Sequence, residues 1–281
     1  MFYRLFLFCI ALGVSSLCFG QHTCGTDEIH RQRLATDAEY KKRHLENEAL
    51  IYQKTLELHQ ERGAKGKTAG VVYTLPVVVH IVHPSNFAIG TEFNPSDDSV
   101  YQLINYLNQG FRKSAYPFNQ PPGVDSEIEF CLAVRDVNGR PTNGIVRVAN
   151  DTFIAQTYQL DMGRDIELKQ NVSKQWNPFK YINIWMVKDA SGNAGYATFP
   201  ALLGNTHGGL IDGIVVLSKF ISSGQSNAPL LIHELGHYFN LFHTFQNGCK
   251  NNNCLLEGDL VCDTPRIVIV GVFVFLKIRV K

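Results

Sequence analysis

The segment His233-Glu234-Leu235-Gly236-His237 sets two imidazoles four residues apart, with a carboxylate directly after the first. Residues 228–241 read as a helix rich in Leu and Ile, and on a helix this spacing stacks both histidines on one face, where they can grip a single ion. Glu234 then stands one step round, within reach of a water activated by that ion. The chemistry this permits is metal-assisted hydrolysis: zinc lowers the pKa of such a water to about 7, and the carboxylate takes its proton and passes it to a leaving amine.

Two surface histidines on a helix produce the same five-residue pattern by chance, so a third ligand carries the weight. His243 follows His237 by six residues, and six steps of about 100° on an unbroken helix would carry it far round from the other two. The helix must therefore turn sharply, at a residue that tolerates positive φ. Asn240, at the midpoint, is the ordinary residue that does so most readily. Glu257 competes for the third position in a two-His-one-Glu site, and Asp259 or Asp263 in a two-His-one-Asp site. His243 leads because it needs one backbone break at a suited residue. The carboxylates need a second helix, and residues 247–253 read as loop.

The elements that must hold these side chains are strands alternating with helices. Residues 75–82 form a β-branched run, and 127–134, 181–187 and 213–218 are further strand candidates. Val100, Leu103, Ile104, Leu107 and Phe111 make an apolar helix stripe after a Ser/Asp cap cluster at 96–99. Residues 192–199 add a short edge strand after the turn at Ser191-Gly192-Asn193. An α/β or α+β domain with a largely buried sheet follows. His80 and His83, three apart on a strand, point to opposite faces and make poor chelators.

Upstream, residues 35–62 read as one amphipathic helix with Leu45, Ala49, Tyr52 and Leu56 at helical spacing. It runs into a small-residue, basic stretch at 62–70, open to proteolytic nicking and the best domain boundary in the chain. Residues 1–20 carry Arg4, an apolar run and a small-residue cut site, the pattern of a secretory signal peptide. The division expected is a signal peptide over 1–20, a pro-segment and linker over 21–70, a catalytic domain over 71–265 and an apolar tail of different texture over 266–281. Cys24 opens the pro-segment, and a thiolate there can take zinc's fourth position and hold the site latent until the linker is cut. The bland alternative is a plain unpaired or disulfide-bonded cysteine.

With 26 Lys+Arg against 25 Asp+Glu in 281 residues, no large uncompensated field points to a nucleic acid or an anionic membrane as partner. The N-terminal apolar run is too short to span a bilayer, so no membrane anchor is expected. Beyond the signal peptide five cysteines remain, Cys24, Cys131, Cys249, Cys254 and Cys262, an odd number for an oxidising compartment.

The run LIHELGHYFNLFHTF over 231–245, followed by Cys249 and Gly258-Asp259-Leu260-Val261-Cys262-Asp263-Thr264-Pro265, resembles the pappalysin branch of the metzincin zinc proteases. The similarity extends upstream through Leu75-Pro76-Val77-Val78-Val79-His80, Tyr181-Ile182-Asn183-Ile184-Trp185, Gly195-Tyr196-Ala197-Thr198-Phe199-Pro200 and Asp212-Gly213-Ile214-Val215-Val216. The resemblance implies an α+β metzincin-like catalytic domain with a twisted, mostly parallel sheet, a backing helix and an active-site helix. It implies His233, His237 and His243 as zinc ligands and Glu234 as general base, with Asn240 where the family usually has Gly. It implies disulfides that join the loop cysteines to partners further along, and calcium in the region of Asp259 and Asp263. It also implies a Met-containing turn after the third histidine, whereas the three methionines here are Met1, Met162 and Met186. The C-terminal subdomain is accordingly expected to be largely missing.

The reading is a secreted zinc metalloendopeptidase zymogen acting on a protein or peptide substrate, which would lie along the edge strand at Gly195, Tyr196 and Ala197. Its rivals are an inactive truncated zinc-binding fragment and a two-His-one-Glu protease using Glu257. Nothing in the sequence sets an oligomeric state.

Overall fold

In a computed structural model of the chain, residues 23–65, 70–121, 123–156, 158–200, 211–222, 228–246 and 258–261 are described. The expectations for the signal peptide, Glu257, Asp263, Cys249, Cys254, Cys262 and the apolar tail lie outside these residues.

A seven-stranded sheet forms the centre of the described residues. Its strands are β1 (Thr23–Cys24), β2 (Tyr73–His83), β3 (Ile128–Leu132), β4 (Ile145–Ala149), β5 (Ile182–Val187), β6 (Asn193–Ala197) and β7 (Ile214–Leu217). The order across the sheet is β1-β6-β7-β5-β2-β3, with β4 pairing β2 beyond the end of β3. All pairings are parallel except β6 with β7. β5 and β7 are buried throughout, as near-continuous apolar runs covered on both faces should be.

Alternate residues of each strand feed two cores. On one face Val77, Val79, Ile81, Ile184, Met186 and Val216 pack against helix α3 (Asp97–Phe111) and against Leu231 and Leu235 of the histidine helix α7 (Ala228–Tyr238). α3 starts where its sequence says it should, the Ser96 hydroxyl accepting from Ser99 N, and it is the backing helix of this layer. On the other face Trp185, Val187, Tyr196, Val215 and Leu217 meet Ile29 of α1 (Thr26–Thr36), Phe153 of α4 (Asp151–Ala155) and Leu168. Leu168 lies in a π-helical stretch, Glu167–Val172, that continues α5 (Met162–Ile166). A short α6 (Lys219–Ser222) follows β7.

That second core encloses charge. Asp165 is fully buried and receives Arg33 Nη2 at 2.7 Å, Lys169 Nζ at 3.0 Å and the Tyr196 hydroxyl at 2.8 Å. Burial lowers the Lys169 pKa, with Asp165 opposing the shift. Arg33 belongs to α1, so the N-terminal segment is tied into the centre of the fold by a buried ion pair.

Two expectations about that segment need correction. The helix expected over 35–62 starts at Ala38, as α2 (Ala38–Lys65), and a break at Asp37, whose carboxylate accepts from Tyr40 N, assigns residues 35 and 36 to α1. The stripe Leu45, Tyr52, Leu56 is also exposed rather than packed. The buried side of α2 is phased one residue earlier, on Tyr40, His44 and Asn47, and it is polar. The apolar periodicity is present, but no layer of the described fold lies against it.

Candidate metal centre and active site

The histidine helix ends at Tyr238, three residues before the expected limit. Asn240 then takes φ 71°, while Leu241 N donates to Gly236 O and Asn240 N to His237 O. This pair of bonds around one left-handed residue is a Schellman stop, with Asn where Gly is usual. The reversal brings His243 back beneath the helix. The Nε2 atoms of His233, His237 and His243 lie 3.1–3.2 Å from one another, a nearly equilateral triangle.

The other ring nitrogens of two of these residues have partners of their own. His237 Nδ1 donates to Leu241 O at 2.6 Å, a carbonyl supplied by the turn itself, and His243 Nδ1 donates to Asp27 Oδ2 at 2.8 Å. With Nδ1 engaged in both, the Nε2 atoms are the ones left facing one another. Burial, reinforced by the neighbouring His243, pulls His233 down to about 4 and His237 down to about 3, so both rings are neutral. Three converging imidazole Nε2 atoms fit a cation about 2.0–2.1 Å from each nitrogen.

Glu234 lies on the inner side of the helix, fully buried, and burial pushes its pKa up to about 8. Its Oε2 accepts from the Thr26 hydroxyl at 3.1 Å and from Cys24 Sγ at 3.6 Å, while its Oε1 has no hydrogen-bond partner among the described residues. Cys24 joins the three histidines in one cluster whose ligand atoms all lie within 4.8 Å of one another. Burial, then the Glu234 charge, holds the Cys24 thiol well above its ordinary pKa in the absence of a cation.

The strand expected at the edge of the sheet is β6, and in the uncleaved chain β1 lies outside it. β1 lies parallel to it, Thr23 opposite Asn193 and Cys24 opposite Gly195, and Gly25 N donates to Gly195 O. Thr26 Oγ1 accepts from Ala197 N at 2.9 Å, so one hydroxyl bridges the edge strand and Glu234. Gly195 is required here: a Cβ would meet Val215 O at 2.8 Å and stand 3.4 Å from Glu234 Cγ. Further along, Glu48 of α2 accepts from Asn240 Nδ2 at 2.8 Å.

Thr26, Asp27 and Glu48 were not singled out by the sequence; only their proximity to Cys24 and to a segment of buried polar residues marks them. His80 is a core residue bonded to Ser173 and Asn183, and His83 bonds Pro84 O, as expected of non-ligands. Asp259 is buried and accepts from Val261 N, which leaves the calcium expectation with a single described carboxylate. Among the described residues Cys24 and Cys131 are free thiols.

A three-histidine cluster on a helix and its return turn, set beside a mixed sheet edge, defines a metzincin-type metalloprotease fold. Comparison with known proteins agrees. The model of the M43 peptidase family, described as pregnancy-associated plasma protein-A, matches residues 165–272. An extracellular metalloprotease of Neurospora crassa is 32% identical over 264 residues, covering 91% of this chain and 73% of that protein. Extracellular metalloprotease 1 of Coccidioides posadasii is 38% identical over 110 residues, 37% of each chain, so that alignment spans little more than a third of the relative's length. Among solved structures, a Tannerella forsythia promirolysin mutant superposes with a TM-score of 0.58 at 27% identity, covering 87% of this chain and 76% of that one. Mature mirolysin from the same organism, in complex with a cleaved peptide, gives 0.57 at 30% identity, covering 71% and 73%. The chain belongs to the pappalysin (M43) family of metallopeptidases.

Proposed function

We propose that the chain is a secreted zinc-dependent metalloendopeptidase, held latent by residues 23–48. The observation that carries this is the triangle of Nε2 atoms 3.1–3.2 Å apart, with the buried carboxylate of Glu234 beside it. His233, His237 and His243 would hold the ion. Zinc, when bound, supplies Lewis acidity toward water and the scissile carbonyl.

Glu234 takes the proton of the attacking water and delivers it to the leaving amine. Its Oε1, without a hydrogen-bond partner among the described residues, is the acceptor for that task. An extended peptide pairs with Gly195–Ala197 once β1 has left, because the backbone groups that now bond Gly25 and Thr26 become available. Cys24 and Thr26 obstruct both requirements, the thiol crowding the triangle and the hydroxyl occupying Glu234 and the edge strand together. Secretion accords with the signal-peptide pattern of residues 1–20 and with relatives named extracellular.

The test is hydrolysis of an unstructured protein such as casein by purified chain, before and after limited cleavage near Lys67, with Glu234→Ala as control. The expected outcome is activity that appears on cleavage and falls by roughly 10²–10⁴-fold in the control. Cleaved, zinc-loaded chain without hydrolysis, or activity that survives Glu234→Ala, would overturn the proposal.

A further inference from the structure

The N-terminal segment does more to the histidine triangle than cover it. Asp27, in the first turn of α1, accepts the Nδ1 proton of His243 at 2.8 Å. The Gln246 amide, turned so that its nitrogen faces this carboxylate, lies 3.1 Å from Asp27 Oδ2 and steadies it. His233 and His237 are fixed by the helix, and His237 by the Leu241 carbonyl as well. His243 is different: it sits past the Asn240 turn, on a strand of backbone outside any helix, and Asp27 and Glu48 touch that turn from the N-terminal segment. The third ligand is therefore the one whose orientation depends on a partner from elsewhere in the sequence.

We infer that Asp27 is a positioning residue for the metal centre: its carboxylate fixes the tautomer and aim of His243, so the uncleaved chain assembles and holds zinc more tightly than the chain freed of residues before the linker. The inference rests on the three-histidine reading above. A carboxylate accepting from the distal nitrogen of a ligating imidazole locks the ring and raises the basicity of the ligating nitrogen, and losing such a partner costs metal affinity 10–100-fold in other sites. α1 would then be a part of the metal site that proteolysis later removes, and the latent form would be the form that loads.

Zinc affinity of the full chain, measured by competition with a chromophoric chelator, tests this without any assay of hydrolysis. Asp27→Ala is expected to weaken binding by about 10–100-fold, Asp27→Glu to recover part of that loss, and Asp27→Asn to fall between. The same loss should appear in a Cys24→Ala background, which separates the effect on His243 from any contribution of the thiol. Unfolding of the metal-free proteins checks for a general loosening. Equal zinc affinity in wild type and Asp27→Ala would overturn the inference, as would a loss matched by equal destabilisation of the metal-free chain and not recovered by Asp27→Glu. A wild-type chain that takes up no zinc would overturn the three-histidine reading itself, which is a separate result.

Discussion

The two halves of the N-terminal segment meet the rest of the molecule in opposite ways. From Cys24 to Glu48 the segment spends polar side chains on the site: Thr26 on Glu234, Asp27 on His243, Arg33 on Asp165, Asn47 on the Pro200 carbonyl and Glu48 on Asn240. From Leu50 onward α2 leaves Leu50, Tyr52, Leu56 and Leu58 exposed, although Tyr52 and Leu56 belong to the apolar stripe of the sequence. Burial of polar groups with satisfied partners gives a unique seat, because each group left unpaired would cost about 1–3 kcal/mol. The near half is built to hold one position over the histidines, and the far half is an arm that carries the chain to the linker.

The most forceful way to break this contrast is Arg33→Ala. Its guanidinium and the Asp165 carboxylate are almost completely buried, and removing one member of such a pair typically costs about 3–5 kcal/mol. Denaturant unfolding of the full chain should register a loss of that order; a loss below about 1 kcal/mol would mean that α1 is not anchored as described.

Next in size is the effect on latency. Cys24→Ala and Thr26→Val each remove an obstruction at Glu234, and Thr26→Val also frees Ala197 N. Hydrolysis by uncleaved chain should rise at least about tenfold in either variant, equivalent to about 1.4 kcal/mol of weakened seating. Substitutions beyond residue 50 should leave it unchanged.

A smaller effect is expected from pH. His30 and His44 pack edge to face at the junction of α1 and α2, with Asp27, Arg33, Tyr40 and Glu48 around them. Burial, assisted by the His44 charge, lowers His30 from the usual 6.5 to about 4, and burial lowers His44 as well. Between pH 6.5 and 4 the unfolded segment binds a proton that the folded one refuses, so this contribution is intact above that window and is lost as pH falls through it. Unfolding of wild type should shift toward lower denaturant between pH 7 and 5, and His30→Gln should reduce the shift.

The smallest effect closes the comparison from the other side. Tyr52→Glu and Leu56→Glu lie on the exposed stripe of the far half and should change stability by no more than about 0.5 kcal/mol. A loss of several times that would show a packing partner for the stripe.

How far the sequence reached follows the same divide. The histidine helix, its break at Asn240 and the return of His243 were legible because each follows from local rules: a period of 3.6, a positive-φ residue at a stop, and ligand types at fixed spacing. The strands of the buried sheet were legible for a similar reason, as β-branched runs. β4 carries the same signal in Ile145-Val146-Arg147-Val148 and was passed over among the strand candidates, whereas the two-residue β1 carries none and exists only because β6 offers it an open edge. Asp27, Thr26 and Glu48 act across sequence separations of about two hundred residues, so nothing in their neighbours announces them. The stripe on α2 misled because periodicity reports which side of a helix is apolar and not whether another layer comes to meet it.

The measurement that tests the central claim most directly is the zinc content of purified chain by elemental analysis, wild type against His243→Ala, with circular dichroism confirming that both are folded. The result expected is equimolar zinc in the wild type and little or none in the variant. A folded His243→Ala chain that keeps equimolar zinc even when Cys24, the other ligand-type side chain of the cluster, is also replaced by Ala would contradict the three-histidine centre and give the third position to a carboxylate such as Glu257.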